Sequence, residues 1–388
     1  MNIILSDKEL YKSFLPLTYT RSVADYRVGI LTIKEKWKAI TGAEPGIITE
    51  PYLQKKYSYS ITPNSILVQA NVIPNQNFIS SLKNLKEGTL TKDGKVIAYT
   101  LTGEDINNIP ENHIEYNQDL TIIKSNTDVF SLNGKIIEED YNIICSGRKS
   151  AELSATNTVF GKHPIFVENG CFVECVTINT NEGPVYIGEN AKIMEGSHIR
   201  GPFAICENSE IKMGAKIYGS TTIGPDCKVG GEINNSVFFA FSNKAHDGFL
   251  GNAVIGEWCN IGADSNNSNL KNNYAIVKLW DYESERFKNT GLQFCGLMMG
   301  DHSKCAINTM FNTGTVIGVS ANIFGSGFPR NFIPSFSWGG HAGLSEYKLN
   351  TAFDVMEKVM MRRNIELTQI DKDIFEHIFE QTSVYRKF

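Results

Sequence analysis

IGENAKIMEGSHIRGPFAICENSEIKMGAKIYGSTTIGPDCKV, residues 187–229, places an aliphatic side chain at every sixth position: Ile187, Ile193, Ile199, Ile205, Ile211, Ile217, Ile223 and Val229. Four residues after these stand Ala191, Ser197, Phe203, Ser209, Ala215, Thr221 and Cys227, all small or modest in size apart from Phe203. The phase returns at Ile255 and Ile261. It returns again at Met299, Cys305, Phe311, Ile317 and Ile323, followed at the same offset by Ser303, Thr309, Thr315, Ala321 and Gly327. Six residues correspond to about 600° of helical rotation, so the apolar stripe of an α-helix would wander around its cylinder. A simple strand would instead require an apolar residue at every second position. A period of six fits a short strand and a turn per step, each coil stacking its aliphatic residue on the one before. Such coils bury a continuous ladder only when several are stacked.

The ladder organises its surroundings. Gly188, Gly196, Gly214, Gly224 and Gly230 fall near the corners and are expected to supply positive φ there. Cys171, Cys227, Cys259 and Cys305 occupy ladder or offset positions and read as small core hydrophobes. No Cys-x-x-Cys pair occurs among the eight cysteines, which argues against a zinc ribbon and for reduced thiols. The repeat spans residues 165–334, with a segment at 265–296 that breaks phase. Long insertions in solenoids collect on one face and build binding sites.

Composition bounds the rest. Hydrophobic residues make up 41% and charged residues 20% of the 388, a globular balance too long for one ordinary core. The apolar run 237–241 is far short of a membrane span, and Asp7, Lys8 and Glu9 follow the N-terminus too soon for a secretory segment. The expectation is a cytoplasmic protein. Thirty-seven basic against 42 acidic residues, with no Lys/Arg block, argue against a nucleic-acid-tracking surface. The seven histidines (113, 163, 198, 246, 302, 341 and 377) are scattered, against a three-histidine metal site.

Three regions follow: an α/β domain over 1–150, stacked coils over 151–340 and a helical tail over 341–388. Ile3-Ile4-Leu5 and residues 65–68 read as buried strands, and residues 30–40 as a helix exposing Glu35, Lys36 and Lys38. In the tail, one helix after Asn350 groups Phe353, Met356 and Met360. A second begins at Thr368 with a capping-box spacing to Asp371 and buries Ile374, Ile378 and Phe379.

The hexad resembles that of the hexapeptide-repeat proteins, whose coils form a left-handed parallel β-helix. Residues 15–21, Leu-Pro-Leu-Thr-Tyr-Thr-Arg, are similar to a stretch of the sugar-phosphate nucleotidyltransferases, and Ser65-Ile-Leu-Val-Gln-Ala-Asn71 to their strand ending in a metal-binding aspartate. The combination resembles the bifunctional family of UDP-N-acetylglucosamine pyrophosphorylase and glucosamine-1-phosphate N-acetyltransferase, above all its shorter Bacteroidetes-type relatives. Residues 15–37, 183–188 and 244–251 carry that likeness. Two departures stand out: residues 1–10 lack glycine where the family has a phosphate-wrapping loop, and Asn71 replaces the aspartate. Magnesium on a triphosphate favours carboxylate charge, so Mg2+ is expected only if the N-terminal domain is active.

The resemblance implies a homotrimer using acetyl-CoA and a sugar phosphate, feeding UDP-N-acetylglucosamine synthesis. Lys244-Ala245-His246 is similar to the family's Lys-Ala-Gly-His stretch, one glycine shorter, which makes His246 the candidate base. An imidazole can take the proton of an attacking amine near neutral pH. Glu232, Lys244, Asn260, Asn269, Lys271 and Tyr274 are the sugar-phosphate candidates. Ala263, Gly300, Asp301 and His302 are the acetyl-CoA candidates, and Asp301-His302 is also a rival base pair. Thr18, Arg21 and Asn71 are nucleotide-site candidates, with Arg21 equally readable as a structural arginine. Two other readings stay open: a uridylyl- or thymidylyltransferase, and a non-catalytic sugar-nucleotide-binding regulator.

Overall fold

The ladder stacks as its period predicts. The computed structural model describes every residue except Thr102 and Glu104. All eight side chains from Ile187 to Val229 are buried, none more than 2% exposed, and they join one apolar core. Parallel register carries three rows along the stack. Ile187, Ile205 and Ile223 are neighbours in one, Ile193, Ile211 and Val229 in the next, and Ile199 and Ile217 in the third. Removing each such isoleucine from water contributes roughly 1.5–3 kcal/mol, so the stack is held by many equal increments.

Among the described residues the coils form three faces of six, nine and ten strands. Face one runs from Thr158–Phe160 to Phe249–Gly251, face two from Ile165–Val167 to Phe332–Ile333, and face three from Phe172–Val173 to Gly343–Glu346. The expected phase break is narrower than predicted. A short strand Asn266–Asn267 still pairs along the stack, and the next regular strand is Leu297–Met299. Between them projects an antiparallel hairpin, Lys278–Asp281 with Arg286–Asn289. Cys227, Cys259 and Cys305 are core residues, and Cys171 packs against the core from its edge.

The corners work differently from the expectation. Gly196 and Gly214 do have positive φ, but Gly188, Gly224 and Gly230 do not. A Cβ on any of those three would strike the backbone of the coil above, so glycine is there for close approach. The left-handed corner residues between faces two and three are instead Asn190, Asn208 and Asp226, then Phe241, Trp258 and His302. Asn and Asp tolerate this conformation well; bulky side chains adopt it at a cost of about 1–2 kcal/mol.

The chain divides into two compact units that interleave in sequence. One comprises residues 1–14, 20–26 and 31–125; the other comprises 15–19, 27–30 and 126–388. The first contains a mixed sheet. Its strands are β1 (Asn2–Ser6), β2 (Gly46–Ile48), β3 (Ser65–Gln69), β4 (Thr89–Lys92), β5 (Lys95–Thr100) and β6 (His113–Glu115), ordered β2-β1-β3-β5-β4-β6. Helices α1 (Ile33–Thr41) and α2 (Gln76–Asn84) belong with it. Thr32 and Glu35 close a capping box that starts α1, and Gly42 at φ +76° ends it. Lys36, expected to be exposed, is buried, because its ammonium donates to the Leu31 carbonyl at 2.8 Å.

In the second unit, α3 (Asn126–Ser131) and α4 (Asn133–Cys145) precede the coils. Ile137, Tyr141 and Cys145 pack with Phe166 and Ala204 of face two and with Ile30. Asn133 accepts from the Gly29 amide at 2.7 Å and donates to the Ser220 carbonyl at 2.7 Å. Asp140 accepts from the Ile30 amide at 2.7 Å. The tail forms α5 (Leu349–Met361) and α6 (Gln369–Gln381), and Thr368 and Asp371 make the expected capping box. Phe375 and Phe379 of α6 meet His302 and Phe336 edge-on, so the tail lies against the upper coils. Among the described residues no helix is long and apolar enough to cross a membrane.

Candidate functional site

His246 lies on the turn between the strands Asn243–Lys244 of face three and Phe249–Gly251 of face one. The turn is pressed between its neighbours. A Cβ on Gly231 below would lie 2.9 Å from the His246 carbonyl oxygen, and Gly248, at φ +114°, meets Ser265 above. The imidazole itself is exposed. Lys244 points the other way. It stands in register above Val229, is 1% exposed, and donates its ammonium to the carbonyls of His246 and Asp247, the latter at 3.0 Å. Desolvation pushes the Lys244 ammonium down to about 8, against the attraction of Asp247.

Beside this turn runs a groove of about 570 Å³, and Ala245, the residue before His246, is part of its wall. Phe241 and Trp258 stack at 4.2 Å with 5° between their planes, and the His302 ring continues the column. Lys228, Lys304, Arg362 and Arg363 bring basic side chains to it, and among the described residues no carboxylate lines it. Lys304 donates to the His302 carbonyl at 2.9 Å, and burial pushes its ammonium down to about 8. Arg363 donates to the Asp226 carbonyl at 3.0 Å, and Lys228 lies 3.5 Å from Glu210. Asn243 also lines the groove, with a buried Oδ1 that accepts no hydrogen bond among the described residues. Cationic donors clustered beside an aromatic column suit a ligand that carries phosphates.

The predicted residues distribute as follows. Asn260 lines the groove in register with Asn243 and Lys304. Glu232 pairs with Phe249 on face one, its carboxylate 3.9 Å from the Lys216 ammonium. Asn269 donates to Asn252 at 2.8 Å, while Lys271 is half-buried and Tyr274 exposed on the segment leading to the hairpin. The Ala263 carbonyl accepts from the Asn308 amide at 2.8 Å, and the Gly300 carbonyl accepts from the Cys259 thiol. Asp301 is buried and accepts from the Glu257 amide at 2.8 Å, tying its corner to that of the adjacent coil. His302 is 4% exposed, between Trp258 and the edge of Phe375.

Thr18 is buried in the unit that holds the coils, whereas Arg21 and Asn71 are buried in the N-terminal unit. Asn71 donates to the Ile123 carbonyl at 2.7 Å and borders a cavity of about 640 Å³ with Lys92, Lys95 and Lys124. Where the resemblance expects a glycine loop after β1, the buried Asp7 carboxylate accepts from the Val23 amide at 2.7 Å. Burial pushes that carboxyl above its ordinary range. Among the described residues no three His, Cys, Asp or Glu side chains gather as a metal site would require.

Sequence reasoning missed Phe241, Trp258, Lys228, Lys304 and the two arginines of the tail. Their signal is a corner column in which aromatic residues replace asparagine, legible only once the coil boundaries are known.

Residues 3–149 match the family described as sugar nucleotidyl transferase. A comparison with curated proteins finds no match. Among solved structures, the chain is similar to a variant of AntD, an N-acyltransferase from Bacillus cereus in complex with dTDP and coenzyme A. That likeness has 12% identity and a TM-score of 0.24, over 52% of this chain and 91% of that one. The polysialic-acid-specific acetyltransferase NeuO is similar at 14% identity and a TM-score of 0.27, over 50% of this chain and 87% of that one. The UDP-N-acetylglucosamine acyltransferase of Arabidopsis is similar at 17% identity and a TM-score of 0.23, over 61% and 82%.

Proposed function

We propose that the protein is an acetyl-CoA-dependent sugar-phosphate N-acyltransferase, with His246 as general base and glucosamine-1-phosphate as the substrate favoured by the resemblance. One observation carries this reading: an exposed imidazole adjoins, through Ala245, a groove whose basic and aromatic walls suit a phosphate-bearing thioester. The sugar amine attacks the thioester carbonyl and passes its proton to His246. The carbon–sulfur bond then breaks, and the imidazolium returns that proton to the departing thiolate. Glu232, Asn269, Lys271 and Tyr274 are assigned to the sugar phosphate. Asn243, Asn260, Lys304 and Arg362 are assigned to the donor, with Ala263, Gly300, Asp301 and His302 shaping the coil that bears it. We further assign the chain to homotrimers in the cytoplasm.

Acetyl-CoA consumption with glucosamine-1-phosphate tests the reading. His246→Ala lowers kcat by about 10²–10⁴-fold with an unchanged melting temperature. An undiminished rate would remove His246 from the chemistry.

A second reading, uridylyl transfer with Mg2+ in the N-terminal unit, draws support from the family match over residues 3–149. Pyrophosphate release from UTP and N-acetylglucosamine-1-phosphate is its assay. Release that is feeble and unmoved by Mg2+ would leave the sugar-nucleotide-binding, non-catalytic role for this unit.

A further inference from the structure

Two residues break the apolar rows inside the solenoid, and both hold the same stretch of backbone. One row reads Ile193, Ile211, Val229, Lys244, then Ile261, Cys305 and Ile323. Another reads Ile199, Ile217, Ile233, Leu250, followed by Asn267 and its register partner Phe311. Lys244 holds the carbonyls of His246 and Asp247. Asn267, 3% exposed, accepts from the Gly251 amide at 2.8 Å and donates to the Gly251 carbonyl at 3.0 Å. Asn266 adds a third tie from outside, accepting from the Phe249 amide at 2.7 Å. The Asp264 amide also reaches the Asp247 carbonyl at 3.0 Å.

The coil that carries this turn is shortened. Fifteen residues separate Val229 from Lys244, where eighteen separate Ile211 from Val229. A shortened coil cannot reuse the backbone path of its neighbours, and the turn must find other partners for its polar groups. An aliphatic side chain at position 244 or 267 would pack the row and leave the turn unfastened. A buried ammonium is costly, so its presence in such a row points to a demand for one particular backbone conformation.

We propose that Lys244 and Asn267 are positioning residues that fasten the 246–251 turn from inside the solenoid and so fix the direction in which His246 leaves the wall. The consequence for turnover rests on His246 as the base; the fastening does not.

The test compares Lys244→Met and Asn267→Leu with the wild-type full-length chain by amide hydrogen exchange without substrate, together with steady-state kinetics. In Lys244→Met, protection at Phe249 and Gly251 falls at least tenfold, while protection at Ile211 and Cys227 is unchanged. Asn267→Leu shows the same local loss, centred on Gly251. Both lower kcat tenfold or more, with KM for either substrate within threefold. Unchanged protection at Phe249 and Gly251, or a loss spread evenly over the coils, overturns the fastening. Local loss with an unchanged kcat, or a rise in KM alone, overturns the positioning role. If His246→Ala leaves turnover intact, the functional reading falls on its own, and the exchange data still decide the fastening.

Discussion

The coils of residues 187–229 and those from Phe241 to His302 share one architecture and differ in what they give up for it. The lower coils have Asn190, Asn208 and Asp226 at their left-handed corners and isoleucine or valine in every row. The upper coils put Phe241, Trp258 and His302 at the same corner, set Lys244 and Asn267 in the rows, and vary in length. Each of these departures costs stability locally, and all of them border the turn of His246 or the basic groove. A repetitive scaffold can carry such a site because each coil depends mainly on its neighbours, so a strained coil is supported by regular ones below.

The comparison is broken most directly from below. Ile211→Ala opens a cavity in the regular ladder, where the coils cannot close around it, and should cost about 2–5 kcal/mol in urea unfolding. A much smaller loss would mean that the lower coils are not the support described.

The next effect depends on pH. The folded-state pKa of Lys244 lies near 8, below its ordinary 10.5, so the unfolded chain binds the proton more tightly. The charged residue therefore lowers stability below pH 8, and that penalty fades as pH rises from 8 towards 10.5. Lys244→Met should accordingly be more stable than wild type at pH 7, by about 1–2 kcal/mol, with the advantage shrinking by pH 9.5. An advantage that grows with pH would contradict the burial of the charge.

Trp258→Asn gives an upper corner the residue of a lower one. Relief of the left-handed strain offsets part of the lost stacking, so stability should fall by less than about 2 kcal/mol. The KM for acetyl-CoA should rise about tenfold under the proposed function, as read by initial rates. Smallest of all, Thr368→Ala removes the N-cap of α6 and should lower stability by about 1 kcal/mol in thermal unfolding.

The sequence displayed the lower coils almost completely, because stacking with an unbroken period leaves an unbroken signal. Ile187 through Val229 needed no tertiary information to be placed. The phase then fails between Val229 and Ile255, where the coils shorten, and with it fails any inference about which side chains face inward. Lys244 reads from its neighbours as a phosphate-binding surface lysine, yet register puts it inside. Phe241 and Trp258 look like ordinary apolar residues until the corner column aligns them with Asn208 and Asp226. Lys36 shows the same limit in the N-terminal unit. Helical spacing placed it outside, but the carbonyl that holds it belongs to the turn before the helix.

The interleaving of the two units bears on how the chain is made. Gly29 and Thr222, joined by a 3.0 Å hydrogen bond, are 193 residues apart. At about 5–20 residues per second, a ribosome would finish Thr222 roughly 10–40 s after Gly29 emerged. The early segment can meet Asn133 and Asp140 first but must wait for Thr222, and an isolated fragment ending near residue 150 would keep Asn133 while losing the Ser220 and Thr222 it grips.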